Sequence, residues 1–275
     1  MDIKKLSSKF IVLDGPDGCG KTSQIELLAK YLKNLGIDVI ETNDPGGTKI
    51  GNQISRLLKY DAQGFMDVRT EIMLFMASRA QLVTEIVNPA LESGKTVLCD
   101  RFVSSTCAYQ GSQRPSVWDF GDKSSTCTYQ RSNGHQSPSV WDFDDKSSTC
   151  RYQGSKGYPV EKIIELGKLA IGGTWPNLTI IIDISAEEGL LRTGRKPYQK
   201  TKVNHEDAEQ HYLFKNAVVD RFDSRPLEYH RKVRNEFLKL PDYYPTPVKI
   251  VDGSKGDIES VHEKIKEVVI QTFDE

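Results

Sequence analysis

Eight consecutive residues, Gly15, Pro16, Asp17, Gly18, Cys19, Gly20, Lys21 and Thr22, satisfy the pattern G-x-x-x-x-G-K-[ST] without a gap. Glycines at those places let backbone N–H groups curl around phosphate oxygens, and a helix opening at the end of the loop adds positive potential. Lys21 is then expected to reach the β- and γ-phosphates of a bound nucleotide, with the Thr22 hydroxyl as a ligand for Mg²⁺. Such sites use a second acidic element. Asp100, directly after Val97, Leu98 and Cys99, suits that part, holding the metal directly or through water. The competing reading is a glycine-rich turn with an incidental lysine, and the strand–loop–helix context argues against it.

Phosphate chemistry needs a frame that presents these groups together. Phe10–Leu13 is a short apolar run ending at the glycines, which reads as a buried strand. Ile25, Leu28, Ala29, Leu32 and Leu35 then recur at helical spacing until Gly36 stops the helix. Val39 begins a second strand, Thr96–Cys99 is a third, Leu178–Ile182 a fourth and Val248–Val251 a fifth. Between them, helices are expected over about Asp67–Leu91, Val160–Ile171, Asp220–Leu240 and Ile258–Thr272. Strands alternating with helices imply an α/β fold, a five-stranded parallel sheet covered on both faces.

Composition narrows the class further. Of 275 residues, 37 are Lys or Arg and 38 Asp or Glu, a formal net charge of −1. That balance argues against a protein that lives on the nucleic-acid backbone, where affinity comes from many phosphate-neutralising cations. No apolar run approaches the roughly 18 residues that span a bilayer, and Phe10–Leu13 is too short for a signal-peptide core. The five cysteines form no CxxC pair, which fits reduced thiols and a cytoplasmic enzyme. His205, Glu206 and His211 lack HExxH spacing and read as solvated charge rather than a zinc site.

The middle of the chain breaks the strand–helix rhythm. Ser104–Gln110 (SSTCAYQ) recurs as Ser124–Gln130 and again as Ser147–Gln153, and Pro115–Phe120 returns as Pro138–Phe143. Two and a half copies of an incomplete supersecondary unit do not make a solenoid. A tandem duplication inside one domain, 1–275, is the expectation, with residues 112–154 as the insertion. A surface excursion is the bland account of it. The alternative is that Trp118, Phe120, Trp141 and Phe143 bury against the domain or a partner. The first copy follows directly on Asp100 and Arg101, so it is expected to build the site, with Ser105 and Tyr109 one helical turn apart. The alternative is the third copy, which leads more smoothly into the Val160 helix and would make 104–146 the excursion.

Four motifs in order carry a family resemblance: Gly15–Thr22 with Asp17 inside it, Asp44–Thr48 (DPGGT), Leu74–Gln81 (LFMASRAQ), and Asp100–Phe102 followed by Ser105, Thr106, Tyr109 and Gln110. Together they resemble thymidylate kinase of the bacterial type. The resemblance implies a P-loop kinase fold with a mobile lid, ATP and Mg²⁺ as donor and cofactor, dTMP as acceptor and a homodimer. It implies that Phe75 stacks on thymine and that Arg79, on the same helical face, hydrogen-bonds the base or the acceptor phosphate. Asp17 is implied to contact the sugar 3′-hydroxyl, and Arg101 to bind phosphate as charge moves. Thr106, Tyr109 and Gln110, beside Ser105, are implied to recognise the base edge and deoxyribose.

Two departures stand out. Asn43 and Asp44 occupy the places of the family's Arg and Glu before Pro-Gly-Gly-Thr. Gly18 stands where other members carry a loop arginine, so a lid at about 192–219 is expected to supply one, with Arg192, Arg195 and Lys196 available and Arg195 the expected catalytic group. Two rivals remain at this level: a kinase for another deoxynucleoside monophosphate, and a nucleotide-binding regulator without turnover.

Overall fold

A computed structural model describes residues 3–61, 66–112, 158–194, 225–254 and 256–274. The order of elements is β1 (Phe10–Asp14), α1 (Lys21–Asn34), β2 (Val39–Asn43), α2 (Lys49–Arg56), α3 (Val68–Leu82), α4 (Asn88–Glu92), β3 (Thr96–Asp100), α5 (Val103–Gly111), α6 (Val160–Ile171), β4 (Leu178–Asp183), α7 (Ala186–Arg192), α8 (Leu227–Tyr243), β5 (Val248–Asp252) and α9 (Ile258–Asp274). Five parallel strands run in the order β2-β3-β1-β4-β5.

Strand period sorts the apolar runs between two cores. Phe10 and Val12 of β1 join Val97 and Cys99 of β3 on the face covered by α3, α5, α6 and α8. Ile11 and Leu13 join Leu98, Ile180 and Ile182 on the other face, under α1 and α9. Because β1 is central, all five of its residues are buried, which is why its sequence reads as a continuous apolar run rather than an alternation. The register sets Leu13 and Asn43 on either side of Asp100. The carboxyl ends of β1, β2 and β3 therefore meet in one place, where open α/β sheets bind ligands.

Two helices differ from their sequence expectation. The Asp67–Leu91 stretch is helical but not uniformly α. It widens to a π turn over Val83–Val87, where the Asn88 N–H donates to the Val83 carbonyl. Pro89 lacks the N–H that the Glu85 carbonyl would take in an α-helix, and its ring crowds that carbonyl. The helix expected from Asp220 is described only from Leu227, with Pro226 at its N-cap, since the residue before a proline is disfavoured in the α region; 220–224 lie outside the described residues. The sequence reading passed over α2 and α7. Thr48 caps α2 by accepting from the Gly51 N–H at 2.9 Å, and Ser185 caps α7 by accepting from the Glu188 N–H at 3.2 Å. Ser185-x-x-Glu188 is a capping-box pattern and was available as a signal. No helix among the described residues is long and apolar enough to cross a membrane.

Candidate active site

The glycine loop between β1 and α1 is held by backbone contact on two sides. Gly15 has φ +136°, and a Cβ there would stand 2.4 Å from the Ile182 carbonyl oxygen of β4. Gly18 has φ +75°, and its Cβ would stand 2.2 Å from the Gly189 oxygen of α7. Only glycine tolerates both the dihedral and the proximity. The Lys21 ammonium folds back under the loop, donating to the Gly15 and Pro16 carbonyls at 3.1 and 2.9 Å. A phosphate would exchange those carbonyls for charged oxygens. The Cys19 thiol is pushed up by burial, which makes it inert packing rather than a nucleophile. A cavity of about 420 Å³ opens beside the loop, bordered by Lys21, Thr22, Asp100, Arg101, Arg192 and Thr193.

Thr22 and Asp100 meet at its floor, the Thr22 hydroxyl donating to Asp100 Oδ2 at 3.0 Å. Asp100 Oδ1 is buried with no hydrogen-bond partner among the described residues. A hydroxyl and a carboxylate with an open oxygen are the hard donors that suit Mg²⁺, so these residues fit the metal that the sequence implied.

Arg101 follows β3 in the left-handed region, φ +70°, a conformation costly for a side-chain-bearing residue and held by its surroundings. Its Nη2 donates to Asp17 Oδ1 at 2.6 Å and its Nη1 to Ser105 Oγ at 3.0 Å. The guanidinium lies 5.1 Å over the Tyr109 ring. Burial alone would lower its pKa, but the Asp17 and Asp14 carboxylates beside it more than restore the charged form.

Asp14, fully buried at the end of β1, is a site residue that the sequence reading missed. It accepts from Ser104 and Ser105 at 2.6 and 2.7 Å and from the Gly15 N–H at 2.9 Å, and Arg101 Nη1 stands 3.6 Å away. Burial raises its carboxyl pKa, against the pull of Arg101 and the serine hydroxyls. One carboxylate thus ties the glycine loop, the post-strand arginine and α5 together. A carboxylate closing the strand before the loop was the signal for it.

A second cavity, of about 460 Å³, adjoins the first. Phe75 and Arg79 reach it from α3, Ser105, Thr106, Tyr109 and Gln110 from α5, and Asn43 and Asp44 from the end of β2. Arg79 is 1% exposed and most of its fork is committed. Nε donates to Asp44 at 2.6 Å, and Nη2 donates to the Phe102 carbonyl and the Thr106 hydroxyl, both at 3.0 Å. Nη1 faces Met76 Sδ at 3.1 Å. Burial raises the Asp44 carboxyl while Arg79 pulls it down. Arg79 is therefore an organiser of the wall as well as a group on it. Asp17, Thr22, Asp100 and Arg101 border both cavities.

Asp17, Lys21, Thr22, Asp44, Phe75, Arg79, Asp100, Arg101 and the four α5 residues are thus gathered around two joined cavities, with Arg192 on the outer rim. Arg195 and Lys196 lie outside the described residues, as do the second and third Ser-Ser-Thr-Cys copies, Cys127, Cys150, His205, Glu206 and His211. Cys19, Cys99 and Cys107 are free thiols. Besides Asp14, the sequence reading missed Lys59 on the wall of the second cavity and Glu71 beside Gln110. Glu71, Phe75 and Arg79 repeat at intervals of four, a one-face signal that included Glu71.

A family model described as thymidylate kinase matches residues 13–126. The thymidylate kinase of Thermoanaerobacter sp. (strain X514) is 31% identical over 264 residues, covering 96% of this chain and 98% of that protein. That of Limosilactobacillus reuteri (strain DSM 20016) is 33% identical over 271 residues, 98% of each. The crystal structure of thymidylate kinase from Ehrlichia chaffeensis superposes with a TM-score of 0.55 at 25% identity, covering 95% of this chain and 98% of that one.

Proposed function

The chain belongs to the thymidylate kinase family and is a nucleoside-monophosphate kinase that phosphorylates dTMP with ATP; we propose that the transfer runs where its two cavities join. The observation that carries this division of labour is the border common to both, formed by Asp17, Thr22, Asp100 and Arg101. A donor phosphate on the glycine loop and an acceptor phosphate in the neighbouring cavity would face each other across those four residues.

In this reading Gly15–Thr22 cradle the ATP phosphates, Lys21 turns from the loop carbonyls to the transferring group, and Arg192 borders the donor nucleotide. Thr22 and Asp100 hold Mg²⁺, which supplies charge neutralisation and alignment of the phosphates when bound. Asp17 accepts from the sugar 3′-hydroxyl. Its bond to Arg101, at 2.6 Å, keeps the guanidinium poised beside the path of the phosphoryl group, where bidentate donors suit developing charge. Phe75 stacks on the thymine, and Asp44 fixes Arg79 against the base or phosphate. Ser105, Thr106, Tyr109 and Gln110 line the deoxyribose and base edge. Arg195 is proposed to close over ATP with a lid at about 192–219, and the first Ser-Ser-Thr-Cys copy to serve the site.

A homodimer belongs to the same proposal. Ile50, Leu57, Met73 and Leu169 are exposed on α2, at its end, on α3 and on α6, and offer apolar surface for a second copy. A cytoplasmic setting agrees with the free Cys19, Cys99 and Cys107 thiols. The deciding experiment is a coupled ADP-release assay with dTMP, dUMP, dGMP and dCMP as acceptors. dTMP should give the highest kcat/KM, and a higher value for another monophosphate would overturn the acceptor assignment. ATP binding with no transfer to any of them would leave a regulator instead.

A further inference from the structure

Glu71 is a carboxylate with no solvent exposure, in the first turns of α3. The Gln110 Nε2 donates to its Oε2 at 3.1 Å, and Arg225 Nη2 supplies a counter-charge 3.7 Å from Oε1. Gln110 is also fully buried and belongs to the acceptor-cavity wall. Its Oε1 is buried and has no hydrogen-bond partner among the described residues. A carboxamide presents a donor on one side and an acceptor on the other, and its two orientations have nearly the same shape. A carboxylate can only accept. The nitrogen of Gln110 must therefore face Glu71, leaving the oxygen as the side available to a ligand. Buried acceptors are as a rule paired, so this one is a place for a donor that arrives with the substrate.

We propose that Glu71 is a positioning residue for base selection: by accepting from the Gln110 amide, it keeps Gln110 Oε1 ready for a ring N–H of the incoming base. This rests on the reading of the acceptor as dTMP. Thymine and uracil carry a proton on N3, which Oε1 can accept. Cytosine carries a lone pair there, which Oε1 repels and an amide N–H would welcome. Glu71 never touches the base. It decides which face of Gln110 does.

The test compares kcat/KM for dTMP, dUMP and dCMP in the wild type and in Glu71→Gln, a near-isosteric change whose new amide can donate to Gln110 and release it to turn over. The dTMP-to-dCMP ratio should fall by about tenfold or more, the order expected when a polar group no longer matches its partner. The dTMP-to-dUMP ratio should hold, because both bases carry the N3 proton, and KM for ATP should not move. Equal losses for dTMP and dCMP, or an unchanged ratio, would overturn the proposal and reduce Glu71 to a structural residue. Glu71→Asp, acceptor-only but one methylene shorter, should keep the wild-type ratio even where kcat/KM falls. It carries the test if Glu71→Gln does not fold, and a collapsed ratio in Glu71→Asp counts against the idea. Failure of the wild type to phosphorylate dTMP at all would strike the acceptor assignment and this proposal with it, whereas an unchanged ratio in an active enzyme strikes this proposal alone.

Discussion

Gly189 sits in α7 and lines neither cavity, yet its replacement by alanine should disable the enzyme. A Cβ at that position would stand 2.2 Å from the Asp17 carbonyl oxygen, and ordinary contact begins near 3.4 Å, so the two backbones must part by about 1.2 Å. Neither side is a flexible side-chain tip. The loop is also pinned at Gly15 against Ile182 of β4, so the strain falls on Asp17 and on the approach to Lys21. Misplacement by about 1 Å can cost around 100-fold in rate, or roughly 2.7 kcal/mol of barrier. Within the helix the same change is favourable, since alanine exceeds glycine in helix propensity by about 1 kcal/mol. Activity and stability should therefore separate. Gly189→Ala should lose about 100-fold in kcat/KM while its Tm stays within a few degrees of wild type, measured by coupled ADP release and thermal melting. Leu191→Ala, at an exposed position of the same helix, serves as the control. Retention of kcat/KM within about threefold in Gly189→Ala would refute the claim that the backbone contact between α7 and the loop holds the catalytic geometry.

Lys21→Ala should abolish transfer without unfolding the protein, because positioning and charge stabilisation carry this chemistry; near wild-type kcat would refute the loop assignment. Asp14→Asn keeps the shape but puts a donor among three donors, so kcat should fall about tenfold with little change in KM for dTMP. A lower Tm with unaltered kcat would make Asp14 merely structural. Phe75→Ala should raise KM for dTMP far more than KM for ATP, and the reverse would mean a misplaced acceptor cavity. Arg79→Ala should do the same and also cost about 3–5 kcal/mol of stability in denaturant titrations, because Asp44 stays buried without its guanidinium. Asn43→Arg should lower KM for dTMP by restoring a cation to the cavity wall. An unchanged or higher KM, with a larger rise in Lys59→Ala, would show that Lys59 already serves the phosphate.

The glycine loop was legible in the sequence because it is local. Eight adjacent residues encode its turns, and the apolar run before it and the helical spacing after it encode its mounting. The same holds for the five strands and for Val160–Ile171, whose periodicity needs no distant partner. Phe75 and Arg79 were legible as a pair because a helix itself brings positions four apart together. What the sequence could not express was which polar groups would find each other. Asp14 meets Ser104 and Ser105 across 90 and 91 positions of chain, and Gln110 meets Glu71 across 39. The commitment of Arg79 to Asp44 spans 35. Those meetings depend on how α3 and α5 pack against the sheet, and a single strand or helix does not determine that. Burial then selects among them, since a polar group excluded from water is retained only where packing supplies its partner. The glycine loop was therefore written in consecutive residues. The network around Arg101 and the orientation of Gln110 were decided by the tertiary fold.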